Sequence, residues 1–413
     1  MSLIVDIRKK TGNFTLDVSF ETAGGIHALL GSSGCGKSMT LKCIAGIMRP
    51  DRGKISLDGK VLFDSEKRID LPPQKRSVGY MFQDYALFPT MTVLDNVMAA
   101  MGKRKKPEKA LEYLRRFHVE ELSNRYPDKL SGGQKQRVAM ARIAAQEPSL
   151  ILLDEPFSAL DSHLKWVLQN EMKATLESMK IPAVMVTHSR DEVYRMCTSV
   201  CCLRDGSSED TMLMKDFFRD PRTVTGARLS GCKNISPVRI IDEHTFRALD
   251  WDLDLYFRNG LTKDALSRIR AVGIRAHRFH VEKRPGDDNE FDVGRYTMME
   301  DPFEWNVSFY GRNSRQSITP GKSAEFRNSC NVKLQEVADQ PKENRKDEKD
   351  CFESCTGESA GIASAGEKNY AGGNTVTGSP ALPLLWRTAK TDGSFSVPGK
   401  LYLNSDDILL LGD

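Results

Sequence analysis

Gly31-Ser32-Ser33-Gly34-Cys35-Gly36-Lys37-Ser38 constrains this chain more than any other stretch. It follows the short apolar run Ile26 to Leu30 and precedes Leu41, Ile44, Ala45 and Met48 at helical spacing. That context reads as a loop between a buried strand and a helix. Glycines there let backbone N–H groups wrap an anion that the helix N-terminus also attracts. Lys37 adds a cation and the Ser38 hydroxyl an oxygen ligand for Mg²⁺, so a nucleoside triphosphate is the expected ligand. A Gly-rich turn before a helix, with no ligand, is the plain alternative.

Three further runs end as buried strands of a parallel α/β sheet end, at the edge where ligands sit. Ser77 to Phe82 leads to Gln83, Leu150 to Leu153 leads to Asp154 and Glu155, and Ala183 to Thr187 leads to His188. An all-apolar strand ending in Asp delivers a Mg²⁺-binding carboxylate beside a phosphate loop. Glu155, one residue on, is expected on the opposite side of the strand, placed to take a proton from an attacking water. A lone His is usually structural, but four polar groups at one edge point to a site. Between helical stretches stands Leu130-Ser131-Gly132-Gly133-Gln134. Ser131 suits an N-cap, and the paired glycines expose N–H groups at a helix start, a second seat for an anion.

At 413 residues the chain is long enough for two or three domains. Its 60 Lys and Arg against 56 Asp and Glu leave a net charge of only +4, with no nucleic-acid footprint. No signal-like h-region and no run of 18 apolar residues is present, so a soluble, cytosolic chain is expected. Nine cysteines, several in apolar settings such as Cys197, Cys201 and Cys202, suit reduced core thiols better than disulfides. Cys330, Cys351 and Cys355 form a poor metal set because no His completes it.

In order along the chain, these motifs resemble the nucleotide-binding subunit of an ATP-binding-cassette transporter over about residues 1 to 222. The resemblance implies an α/β P-loop NTPase fold: an ABC ATPase core with an antiparallel β subdomain and a helical subdomain at about 85–147. Gly31 to Ser38, with Met39, would bind the phosphates of ATP, and Lys37 would act on them. Ser38, Gln83 and Asp154 would serve Mg²⁺, Glu155 would be the general base, and His188 would contact the γ-phosphate. Ser131, Gly132, Gly133 and Gln134 would close over ATP held by a second copy, giving a head-to-tail dimer. Ser158-Ala159-Leu160-Asp161 would communicate across it. Permease subunits, and indirectly an extracytoplasmic solute-binding protein, are the other implied partners, and the cytoplasmic face of the membrane the implied location. Nucleic acid is not expected as a partner.

Phe63 to Ile69, Pro72 to Arg76, Phe88-Pro89 and Gly231-Cys232-Lys233-Asn234-Ile235-Ser236 are similar to importers of molybdate and related oxyanions. Sulfate, polyamine and sugar importers share the core and stay open as alternatives. A soluble ABC-type ATPase acting on nucleic acid or ribosomes is the reading from another class, against which stand the balanced charge and the lack of a long coiled coil. Where the family carries a Tyr or Trp to stack on adenine, Lys10 to Asn13 stand here, leaving Phe14 as the substitute. Tyr85 to Pro89 could pack internally or dock a permease helix. Residues 223–321 and 381–413 resemble a small β-barrel-like accessory domain, with Ile240, Phe246, Leu249 and Leu253 to Phe257 in strand-like alternation and Ile408 to Leu411 closing it. Residues 322–380, rich in Ser, Gly, Lys and Glu, read as a mobile low-complexity insertion.

Overall fold

The structure is a computed structural model that describes residues 2–102, 106–158, 160, 162–313, 381–390 and 395–412. The expectations for 322–380, for Cys330, Cys351 and Cys355, and for Ala159 and Asp161 lie outside the described residues.

Strands β1 (Leu3–Thr11) and β2 (Phe14–Thr22) form an antiparallel hairpin. Leu3, Val5 and Ile7 alternate inward on one, Leu16, Val18 and Phe20 on the other, the period of a half-buried sheet. Next come β3 (Ile26–Leu30), helix α1 (Lys37–Ala45), β4 (Arg52–Leu57), β5 (Lys60–Asp64), β6 (Ile69–Asp70) and β7 (Val78–Met81). The β4–β5 connection is a tight turn at Asp58-Gly59. Helices α2 (Val93–Ala100), α3 (Pro107–Arg116) and α4 (Gly132–Ala144) precede β8 (Leu150–Asp154). Then follow α5 (Ser162–Met179), β9 (Ala183–Thr187), α6 (Arg190–Met196), β10 (Ser199–Arg204), β11 (Ser207–Ser208), β12 (Met212–Leu213), α7 (Met214–Arg219) and α8 (Val224–Leu229).

One sheet runs β6-β5-β4-β1-β2-β11-β10-β3-β9-β8-β7, with β12 also on β10. From β10 to β7 all pairs are parallel. Strands β3, β8 and β9 are buried at every residue, because both faces are covered. Alternate residues divide between those faces. Ala28, Leu30, Ile151 and Leu153 join α2, α3 and α4 through Val97, Leu114 and Val138. Leu29, Leu150, Leu152 and Val186 join α1 and the first hairpin through Leu41, Ile44, Leu16 and Val18. The strand order β3-β9-β8-β7 sets side by side the C-terminal ends that carry the phosphate loop, His188, Asp154 with Glu155, and Gln83.

The remaining elements are β13 (Asn234–Ile240), β14 (Thr245–Ala248), β15 (Leu253–Tyr256), α9 (Lys263–Arg268), β16 (Ala271–Ile274), β17 (Asp287–Glu300), β18 (Glu304–Asn313), β19 (Leu384–Ala389), β20 (Lys400–Asn404) and β21 (Ile408–Leu411). They make a sheet β15-β14-β13-β16-β21 and a second, β19-β18-β17-β20. The barrel-like expectation takes the form of two sheets sharing one interior of Phe246, Leu255, Phe291, Phe309, Trp386 and Leu401. The run Ile408 to Leu411 enters as the edge strand beside β16. Of the residues in the expected alternation, Ile240 and Leu249 are exposed: one ends β13 and the other lies past β14. Cys197, Cys201 and Cys202 are buried free thiols, and burial pushes each well above the ordinary thiol range.

Candidate functional site

The loop between β3 and α1 is held by its own lysine. Lys37, almost fully buried, donates from Nζ to the Gly31 carbonyl at 2.8 Å and to the Ser32 carbonyl at 2.6 Å. This curls Gly31 to Gly36 into a ring with Ser32, Ser33 and Gly34 facing solvent and Cys35 turned inward. Gly36 has φ +104°, and a Cβ there would meet Leu16 Cδ1 at 2.5 Å. Only glycine fits both the backbone and the space. Phe14 Cζ lies 3.3 Å from that same point, which sets its half-buried ring beside the loop. Met39, partly buried, packs its side chain against the cluster behind α1.

Ser38, in the first turn of α1, donates its hydroxyl to Asp154 Oδ1 at 2.7 Å. The Tyr80 hydroxyl on β7 donates to Asp154 Oδ2 at 2.9 Å. Burial, and then the charge of Asp154, pushes the Tyr80 hydroxyl well above the usual tyrosine range. It therefore stays a donor at any working pH. Ser38 and Asp154 offer two hard oxygens at one point, a donor pair that fits Mg²⁺. No group of three or more His, Cys, Asp or Glu able to hold a metal occurs among the described residues. An ion here would thus draw its other ligands from water and substrate oxygens.

Glu155 departs from the expected strand alternation. The strand stops at Asp154, and Glu155 takes φ +44° with its N–H donated to the Val186 carbonyl. That turn, not the pleat, separates the two carboxylates. Glu155 Oε1 stands 3.4 Å from His188 Nδ1, with Glu155 mostly buried and His188 exposed. The Ser158 hydroxyl donates to the Glu155 carbonyl at 2.9 Å and secures the turn. Behind His188, the Thr187 hydroxyl donates to the buried Glu192 carboxylate at 2.5 Å and accepts from the Ser189 N–H at 3.0 Å. Burial raises the Glu192 carboxyl above its ordinary range, opposed by the Thr187 bond.

Gln83 lies exposed in the turn after β7, and Ser131 to Gln134 open α4 in a reciprocal cap. Ser131 Oγ accepts from the Gln134 N–H, while Gln134 Oε1 accepts from the Ser131 N–H at 2.9 Å. The first-turn N–H groups of Gly132 and Gly133 have no carbonyl within the helix to bond. Tyr85 to Pro89 divides: Tyr85 is buried and Leu87 packs inward, whereas Phe88 is exposed beneath Arg142, whose guanidinium lies 5.5 Å from its ring centroid.

Residues 15–158 match the family model described as "ABC transporter". The molybdenum import ATP-binding protein ModC of Aliivibrio fischeri is 39% identical over 206 residues, covering 50% of this chain and 56% of that protein. ModC of Paramagnetospirillum magneticum is 37% identical over 237 residues, 55% of this chain and 64% of the relative. The spermidine/putrescine import ATP-binding protein PotA of Nitratidesulfovibrio vulgaris is 37% identical over 252 residues, 58% of this chain and 67% of the relative. The chain belongs to the ABC transporter family. It spans somewhat over half the length of the two ModC relatives.

With the family shown, the site residues that sequence reasoning missed stand out. Tyr80 reads as one more apolar residue of its strand, and because that edge strand is only half-buried nothing in the run marks its phenol as having a carboxylate partner. Glu192 sits in the charged run Arg190-Asp191-Glu192, where nothing marks one acid as buried.

Proposed function

We propose that this chain is the ATP-hydrolysing subunit of an importer, peripheral to the membrane, and that molybdate or a related oxyanion is the imported solute. The observation that carries the ATPase reading is the pairing of Ser38 with Asp154 and of Glu155 with His188 on adjacent strand ends beside the Lys37 loop. No helix of the described residues is long and apolar enough to cross a membrane.

In this reading the loop N–H groups and Lys37 bind the triphosphate, Lys37 exchanging its carbonyl partners for phosphate oxygens. Ser38 and Asp154 would hold Mg²⁺, which when bound neutralises phosphate charge. Glu155, held by its turn, takes the proton of the attacking water, and His188 is positioned by Glu155 on one side and the Thr187–Glu192 pair on the other. Gln83 lies next to these groups in strand order and faces the water, and Phe14 offers its ring to the base. The free first-turn N–H groups of Gly132 and Gly133 suit an anion from a second copy, so a head-to-tail dimer closed by ATP is the proposed working form. The exposed Phe88 is the proposed contact for a permease helix, and residues 1–222 and 223–321 with 381–413 are proposed as ATPase and accessory domains. The import roles in the names of the relatives support the transport reading.

Phosphate release from Mg²⁺·ATP tests the chemistry. Glu155→Gln should keep nucleotide affinity and lose about 10²- to 10⁴-fold in turnover. Release near the wild-type rate would refute the base assignment. Reconstitution with the permease should show molybdate, delivered by its binding protein, stimulating hydrolysis; stimulation by another solute alone would overturn the substrate and leave the ATPase standing.

A further inference from the structure

A cavity of about 470 Å³ opens where the α6–α8 region meets the C-terminal sheets, a size usual for small-molecule sites. Its walls are cationic: Arg190 begins α6, Lys233 precedes β13, Arg275 and Arg278 follow β16, and Arg387 lies on β19. Tyr194 and Phe218, edge to face at 5.1 Å, complete one side.

The charges are incompletely paired. Arg275 spends its donors on neutral groups, the Phe218 carbonyl at 2.6 Å and the Ser230 carbonyl and hydroxyl at 3.1 Å. Arg190 has Asp191 at 3.7 Å, Arg278 has Asp407 at 3.0 Å and Arg387 has Glu304 at 3.2 Å. Lys233 forms no hydrogen bond or ion pair among the described residues. Three carboxylates thus stand against five cations. Burial first, then Arg278 and Arg275, holds His277 in the same wall below its ordinary value, with Asp407 opposing and Arg387 assisting.

The backbone is shaped around one of these cations. Gly231 has φ +94°, and a Cβ there would lie 1.7 Å from Arg190 Nη1. The guanidinium therefore rests on the glycine's open face at the cavity, with only a distant neighbouring carboxylate for a partner. Groups of like charge gathered in a cleft and left short of counter-charge favour an anion.

We propose that this cavity binds a multiply charged tetrahedral oxyanion between Arg190 on α6 and Lys233 and Arg278 on the C-terminal side. The ligand is either a free inorganic anion or the phosphate of a small phosphorylated molecule. Arg190 lies two residues after His188, so a bound anion ties the C-terminal sheets to the segment that carries His188. Occupancy would then be felt at the nucleotide site, although no phosphate-loop residue takes part.

Titration calorimetry of the full chain at low salt, without ATP, tests this with sodium sulfate and with ribose 5-phosphate as probes. Lys37→Ala separates the cavity from the phosphate loop, and Lys233→Glu and Arg278→Glu reverse charge in the cavity. Lys233 is exposed and unpartnered, so its replacement leaves packing intact, and a thermal melt confirms the fold of both variants. The expected result is a saturable site that survives Lys37→Ala and weakens about tenfold or more in each reversal, each variant losing a charge-assisted contact. Preference for sulfate identifies a free anion, and preference for ribose 5-phosphate a phosphorylated ligand. No saturable binding up to roughly 10 mM, binding abolished by Lys37→Ala, or equal affinity in wild type and both reversals overturns the proposal.

Discussion

Arg76→Met should cost this fold about 3–5 kcal/mol, the loss expected when one partner of a buried charged cluster is removed. The Arg76 side chain is fully buried and reaches the C-terminal end of α1, the helix that starts at the phosphate loop. Its Nη1 donates to the Cys43 carbonyl at 2.8 Å, which also accepts from the Gly46 N–H, and to the Ile44 carbonyl at 2.9 Å, one of the end carbonyls that the helix itself leaves without a donor. Nε donates to the Leu71 carbonyl at 2.7 Å and Nη2 to Asp70 at 2.9 Å. Hydrogen bonds to a charged group contribute about 1.5–3 kcal/mol each, so four would nominally give about 6–12 kcal/mol. Two effects reduce that figure: Asp70 is one-third exposed and regains water, and the Met side chain restores apolar contact. Arg76→Lys keeps the charge without the fork and should lose about half as much. Urea unfolding followed by far-UV circular dichroism reads the difference; with a slope of about 3 kcal/mol/M, the core midpoint should fall by about 1–1.7 M. A loss under about 1 kcal/mol would show that water or local rearrangement satisfies the α1 carbonyls, and the argument for Arg76 as the cap of this helix would fail.

Other perturbations probe the same framework. Tyr80→Phe removes the Asp154 Oδ2 bond, so it should destabilise by about 1.5–3 kcal/mol in the same unfolding assay and change the Mg²⁺ dependence of phosphate release; an unchanged protein on both counts would remove Tyr80 from the site. Gly36→Ala forces a Cβ against Leu16 at φ +104° and should cost about 1–3 kcal/mol with a clear loss of nucleotide affinity, whereas wild-type binding by calorimetry would contradict the close-approach argument. His27, stacked on Phe20 and bonded to Ser199, is lowered by burial to about 4. Between pH 6.5 and 4 the unfolded chain therefore binds the extra proton, and stability present above 6.5 falls by about 3 kcal/mol as pH drops to 4. His27→Leu should flatten that slope, and an unchanged slope would assign acid sensitivity to other groups.

Much of the site was legible because its chemistry comes in contiguous runs. The phosphate loop, Ser131 to Gln134 and the strand ends at Asp154 and His188 each need particular residues at fixed spacing, and each sits where the pattern placed it. The pleat expected to set Glu155 apart from Asp154 gives way to a turn, because a local φ reversal is not written in an alternation of apolar positions. The C-terminal run Ile408 to Leu411 reads as a strand, but its partner β16 lies over 130 residues earlier and only long-range pairing reveals it.

The sequence alone determined the phosphate loop, the parallel strands that end in polar groups and the cap at Ser131, since these follow from local backbone preference and apolar period. Tertiary structure decided what depends on approach between distant segments: Tyr80 and Ser38 meeting on Asp154, Arg76 closing the end of α1, Gly231 making room for Arg190, and five cations left short of carboxylates at one junction. Burial creates these relations, because a charge or hydroxyl withdrawn from water must find its partner in three dimensions, and spacing along the chain does not record which partner that is.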